Sequence, residues 1–207
     1  MALTYHEWWQ AIKSNKKYLV LSLLLFTLAA ILYGLSGNYV TEHSCSGSSQ
    51  DLILNSIGPY NLSLIFIWFF LLVLTTFILY PLVYKPHEFH YFLNMFSLFI
   101  IVRSGFILFT RMCAPIGIIH ITFPGFIQLL TFSNDFFFSG HTGLPFLGFL
   151  LFRKNKPLAY FMLYSSIILG ITALVMHEHY SIDVLSAYFI TYGIYAIGNY
   201  LFKKKII

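Results

Sequence analysis

The chain has 207 residues, 58% of them hydrophobic and only 9% charged. Soluble domains carry about 25% charged residues, so this balance excludes an ordinary water-soluble protein and points to a membrane protein. The formal net charge is +5; a basic excess argues for nucleic acid only where its placement does, and no nucleic-acid partner is expected.

Apolar stretches of about 18 residues or more recur along the chain, each long enough to cross about 30 Å of hydrocarbon. Trp8 and Trp9 stand ahead of a lysine cluster, as interfacial anchors do. The first span is predicted over Tyr18 to Leu35; no small-residue cleavage site follows it, so it reads as a retained helix rather than a signal peptide. The next spans are Leu62 to Tyr84 and Tyr91 to Thr110. The fourth, Phe138 to Phe152, is short and carries Gly140, Gly143, Pro145 and Gly148; Leu158 to Met176 and Ile182 to Leu201 complete the set. The expected fold is therefore an all-α polytopic membrane protein, one domain over residues 1–207, with six transmembrane helices and the bilayer as its surroundings.

The basic residues orient it. Lys13, Lys16, Lys17, Lys85, Arg153, Lys154, Lys156, Lys203, Lys204 and Lys205 fall on one side, while Arg111 is the one arginine near the opposite loops. The positive-inside rule places both termini in the cytoplasm, which an even number of spans satisfies. Compact loops and short tails favour a bacterial inner membrane over a eukaryotic endomembrane. The terminal Lys-Lys-Ile-Ile resembles a dilysine retrieval signal, but a topogenic cytoplasmic charge cluster is the favoured reading. Cys45 and Cys113 fall on or near the outer side, where a disulfide persists if the two pair; chance placement is the alternative.

The outer side also gathers the polar residues. The fourth span starts at Asp135-Phe136-Phe137-Phe138-Ser139-Gly140-His141-Thr142, and the sixth at His177-Glu178-His179-Tyr180-Ser181-Ile182-Asp183. Both helix N-termini point outward, where free N–H groups and the positive dipole end favour an anion. Ser139 is a candidate N-cap, and Gly140 lets backbone approach a ligand. From Ser139 to Phe152 the helix is about 21 Å long at 1.5 Å per residue, which recesses its start toward lipid-phosphate depth. His179 and Asp183 have i, i+4 spacing, so the carboxylate orients one ring nitrogen and leaves the other nucleophilic. Arg103 lies within the third span, where a charge costs about 2.5–3.5 kcal/mol on insertion scales. A guanidinium there calls for a phosphate, an ion pair with Asp183, or snorkelling. Tyr39, Tyr60 and Tyr180 are candidates for a cation–π cage on that side.

These motifs resemble the paired signatures of sphingomyelin synthases, within the wider PAP2 superfamily of lipid phosphatases and phosphotransferases. Asp135 and Ser139-Gly140-His141-Thr142 match Asp-x-x-x-Ser-Gly-His-Thr. His177 to Val184 is similar to His-Asp-His-Tyr-Thr-x-Asp-Val, and Ala187-Tyr188-Phe189-Ile190-Thr191 continues it. Arg103, Phe106-Ile107, Thr110 and Pro115 resemble a third signature. Asp51 fills an acidic position after the first span without the surrounding prolines, and the loop from Pro115 to Asp135 lacks the family's paired cysteines. Ala173 stands where the phosphatase branch has arginine, and that branch's Lys-x6-Arg-Pro motif is absent, which favours the synthase-like branch.

The resemblance implies a mechanism: His179 attacks phosphorus, Asp183 orients it, and His141 serves as general acid and then base. Arg103, Ser139, Gly140, Asp135 and Tyr180 would line the phosphate and substrate site. The expected substrates are a phospholipid and a lipid alcohol such as ceramide or diacylglycerol. No cofactor or metal is required, although His141, His177 and His179 form an alternative zinc set. Water as acceptor makes the same residues a phosphatase or phospholipase C-like hydrolase; a lipid transporter without a covalent intermediate is the reading from another class.

Overall fold

The computed structural model describes residues 4–43, 47–110, 112–119, 121, 125, 132 and 134–203. Arg111, Cys45 and the terminal Lys-Lys-Ile-Ile lie outside the described residues. Cys113 is disulfide-bonded, so no described cysteine carries a free thiol.

Every described element is a helix or turn, as hydrocarbon requires of an open chain that must satisfy its own backbone. A short amphipathic helix comes first, α1 (Tyr5–Ser14), started by a reciprocal cap in which the Thr4 amide donates to Glu7 at 2.8 Å and the Glu7 amide to Thr4 at 3.4 Å. Asn15 breaks it, and α2 (Lys16–Glu42) follows. A wide π turn (Ile65–Phe69) leads into α3 (Phe70–Tyr84). Then come α4 (Phe89–Thr110), α5 (Gly140–Leu151), α6 (Lys156–Val175) and α7 (Ser181–Phe202).

Five of these are long and apolar enough to cross a membrane: α2, the π turn with α3, α4, α6 and α7. The fourth expected span is α5, whose 12 residues reach about 18 Å at 1.5 Å per residue, well short of about 30 Å of hydrocarbon. It has no need to face lipid. Phe99 of α4, Thr191 of α7 and Met162 of α6 surround it so closely that a methyl group on Gly143 would lie 2.8 Å from Thr191 Oγ1, and one on Gly148 2.9 Å from Met162 sulfur. Leu144 and Leu147 join Val73, Phe77, Phe92, Met95 and Phe138 in the core. Outward faces of α2, α6 and α7 instead expose Leu21, Leu24, Ile168, Ile171, Leu185 and Phe189, the arrangement of a protein solvated by lipid.

The helices alternate in direction, so chemistry and charge separate to opposite ends. At one end the C-terminal parts of α2 and α4 meet the segment before α5, through Asn134 to the Val40 carbonyl and Arg103 to the Phe138 carbonyl. At the other, Trp8 donates its indole N–H to the Leu82 carbonyl, Ser22 bonds the His90 carbonyl, and Tyr91 bonds Asn199. Lys13, Lys16, Lys17, Lys85, Arg153, Lys154, Lys156 and Lys203 belong to that second end.

Candidate active site

Each residue of the Ser139–Thr142 turn has a separate task. Ser139 is the N-cap of α5, its fully buried hydroxyl accepting from the Thr142 amide at 3.4 Å. Thr142 points into the core, and its carbonyl accepts from Ser166 of α6 at 2.7 Å. Gly140 lies under the Arg103 guanidinium, where a methyl group would come within 3.3 Å of Nε. That leaves His141 to turn toward Phe66 and Phe70, around the π turn. Pro145, four residues on, has no N–H to give the His141 carbonyl, so the first turn of α5 lacks one of its internal bonds.

Arg103 is buried and paired, with Asp135 rather than Asp183. Its Nη1 donates to Asp135 Oδ2 at 2.7 Å, Nη2 to the Asp135 carbonyl at 3.4 Å, and Nε to the Phe138 carbonyl at 3.0 Å. Tyr33 of α2 donates to the same Oδ2 at 2.9 Å, and its ring stands 5.9 Å from the guanidinium. Three segments are thus tied behind the start of α5. Asp135 is engaged with this cation, and Arg103 presents its charge beside Gly140 rather than as an unpaired ion.

The second motif is organised by how α6 ends. The His177 amide bonds the Leu174 carbonyl and the Glu178 amide the Ala173 carbonyl, a paired closure that requires a left-handed residue at His177, whose φ is 55°. Its ring is held by two loop carbonyls, Ile116 at 2.7 Å and Ile57 at 3.1 Å. A zinc ligand needs a free ring nitrogen, and His177 has neither to offer. Among the described residues no group of three or more metal-binding side chains converges.

His179 precedes α7 instead of riding on it. Its Nδ1 lies 3.5 Å from Asp183 Oδ2, near enough for electrostatic support but not aligned as a hydrogen bond. Asp183 Oδ2 accepts the Tyr180 amide at 2.9 Å. Asp51 Oδ2 accepts both the amide and hydroxyl of Ser181, at 2.7 and 2.8 Å. The expectation that the α7 N-terminus waits for a substrate anion is therefore corrected: two carboxylates of the protein already occupy it. Burial opposes ionisation of Asp51, but N–H donors from Ser181, Leu54 and Ile53 outweigh it and hold the carboxyl below its usual range. At α5, by contrast, no described acceptor reaches the Gly140 or His141 amide.

The two motifs touch. The Ser139 amide donates to the Asp183 carbonyl at 3.2 Å, joining the start of α5 to the first turn of α7. His141 lies within electrostatic reach of both His179 and Arg103. Tyr180 is buried, with its hydroxyl accepting from the Ser49 amide at 3.1 Å, while Tyr39 stacks on His43 and Tyr60 is exposed. Among the described residues these three tyrosines make no ring contact with one another. A cavity of about 240 Å³ opens beside Tyr180, lined by Asp51, Asn55, Ile116 and His177, and neither His141 nor His179 lines it.

Tyr33, Phe66 and Phe70 are contacts that sequence reasoning missed. Phe66 stacks on His141 and Phe70 packs against it at a tilt, with ring centroids 3.8 and 4.1 Å away. All three sit in apolar spans, where an aromatic facing the site and one facing lipid look alike.

Residues 133–200 match the family model described as PAP2 superfamily, C-terminal. No curated protein and no solved structure matches the chain. The matched segment contains both histidine motifs and Asp183, and Arg103 and Asp51 lie outside it. The match supports that superfamily and, with it, an enzyme of the lipid phosphatase or phosphotransferase type in a membrane.

Proposed function

We propose that the protein is a membrane lipid phosphotransferase of the sphingomyelin synthase-like branch. It moves a phospho-headgroup, phosphocholine or phosphoethanolamine, from a glycerophospholipid to a lipid alcohol such as ceramide or diacylglycerol. In this reading α5 is the short fourth of six crossings, both termini are cytoplasmic, and the site opens at the outer face because the lysines and Arg153 collect at the other. The observation that carries the proposal is the bond from the Ser139 amide to the Asp183 carbonyl, which supports His141 and His179 acting on one phosphorus.

His179 turns Nδ1 toward Asp183, so Nε2 attacks. The N–P bond forms as the P–O bond to diacylglycerol breaks; its electron pair goes to the leaving oxygen, which takes a proton from His141. Asp183 stabilises the cationic phosphohistidine. His141 then accepts the proton of the incoming hydroxyl while that oxygen attacks phosphorus, the N–P pair returns to His179, and the product leaves. The Gly140 and His141 amides and the nearby Arg103 suit the equatorial phosphoryl oxygens.

Hydrolysis is the second reading, favoured by the family match, since PAP2 proteins are commonly phosphatases. One experiment separates them. The purified protein is given headgroup-labelled phospholipid, with and without ceramide or diacylglycerol. Label in a new lipid supports transfer, and label released only to water supports hydrolysis. His179→Ala abolishes both on either reading; turnover by that variant at the unmodified rate would remove the catalytic assignment.

A further inference from the structure

His141, His177 and His179 belong to the two motifs, and two of them have their rings fixed by polar neighbours. His177 is held by two carbonyls, and His179 faces a carboxylate. Among the described residues no hydrogen bond reaches the ring of His141. Its contacts are aromatic instead. Phe66 stacks at 3.8 Å with the ring planes 23° apart, and Phe70 at 4.1 Å with the planes 40° apart. Two phenyl groups so close to one imidazole cannot share a face without overlapping, so they bracket it.

The backbone makes this possible. Phe66 and Phe70 sit within and just after the π turn Ile65–Phe69. A π turn closes i to i+5 and is wider than an α turn, so residues four apart stand nearly one above the other; such turns occur often at functional sites. Phe66 is itself buried against Ala173, Met176 and Val184, which fixes its plane relative to the start of α7. The clamp therefore refers the His141 ring to the element that mounts His179.

We propose that Phe66 and Phe70 are positioning residues, holding the His141 imidazole in the plane from which it delivers and recovers a proton. This rests on the acid–base role given to His141 above. A general acid must meet the leaving oxygen at hydrogen-bond distance, and misplacement by about 1 Å can cost 10²-fold in rate. A ring held only by its own rotors loses that register.

The test compares two substrates in the full-length protein in lipid nanodiscs. One is a labelled glycerophospholipid, whose alkoxide leaving group needs a proton. The other is the p-nitrophenyl ester of the same phospho-headgroup, whose leaving group needs none. Phe66→Leu/Phe70→Leu keeps apolar bulk but removes both flat faces. It is expected to lower kcat/KM on the lipid, which reports phosphohistidine formation alone, roughly 10- to 100-fold, and to lower kcat/KM on the aryl ester at least about tenfold less. Phe70→Tyr, which restores a flat ring, returns the lipid rate to near its original value. Equal slowing on both substrates, or none on either, overturns the clamp. If the double variant does not fold, Phe70→Leu alone is scored by the same ratio. His141→Ala runs alongside: if it lowers kcat/KM on both substrates equally, the general-acid assignment itself fails, whatever the phenylalanine variants do.

Discussion

Asp135 and Arg103 form the buried ion pair on which the start of α5 rests, and removing its halves has unequal consequences. Their side chains are 9% and 10% exposed and meet at 2.7 Å. Asp135→Leu leaves a guanidinium that cannot deprotonate in a site built to neutralise it, and stranding a buried charge costs about 3–5 kcal/mol. Arg103→Met leaves a carboxylate that can take up a proton, so its loss is smaller. Arg103→Met/Asp135→Leu removes both charges, and replacement of a buried pair by apolar groups is often nearly neutral. Thermal unfolding in nanodiscs of fixed lipid composition reads the difference. At roughly 2–4 °C per kcal/mol for a chain of this size, Asp135→Leu lowers Tm by about 6–20 °C, and the double variant recovers much of that while remaining poorly active because Gly140 has lost its support. Single-variant losses that simply add, with coupling under about 0.5 kcal/mol, would refute the pair as an energetic unit.

Two further predictions concern the surroundings. Glu178 lies outside the spanning helices, and burial pushes its carboxyl from 4.5 up to about 7, with His179 opposing. The folded state then binds the proton more tightly than the unfolded chain, so stability falls as pH rises from about 4.5 to 7 and the full penalty persists above that; Glu178→Gln should flatten this slope in melts across the window. Gly143→Val drives new methyl groups into Thr191 and Phe99, and overpacking of this kind costs about 1–3 kcal/mol; an unchanged melting temperature would mean α5 is less tightly enclosed than described.

Hydropathy located the five helices long enough to cross a membrane because a bilayer leaves a chain without sheet partners little alternative to the helix. It was weakest where protein contacts, not lipid, decide the ends. The apolar run stops near Leu35, yet α2 continues to Glu42, where Asn134 bonds the Val40 carbonyl and Phe132 packs over Gly37. His179 and Asp183 are near neighbours, as their spacing suggests, but the α6 closure at His177 places His179 in a turn and leaves the contact at 3.5 Å. Arg103 was legible as a buried cation because charge is conspicuous in hydrocarbon. Its partner was not: an arginine in a span announces that something compensates it, without saying which of several acidic residues does. The π turn left no mark at all in Ile65-Phe66-Ile67-Trp68-Phe69, since every residue there suits an ordinary apolar helix.

The two helix starts that meet through Ser139 and Asp183 are not equivalent, and the difference assigns their roles. At α7 the dipole end is satisfied from within the protein, by Asp51 on Ser181 and by Asp183 on Tyr180. A substrate phosphate there would face two carboxylates at close range, which like-charge repulsion disfavours. At α5 the cap is a neutral serine, the glycine adds no bulk, Arg103 stands alongside, and the Gly140 and His141 amides have no acceptor among the described residues. An anion gains most at that end. On the proposed mechanism the phosphoryl group would therefore sit over Gly140 and His141, with the turn before α7 carrying the nucleophile. Asp183, 3.5 Å from the ring, would stabilise the positive charge that His179 acquires in that mechanism. Substituting Asp51→Asn should consequently weaken its hold on Ser181 at the start of α7 and lower the melting temperature, while leaving the Gly140 and His141 amides in place.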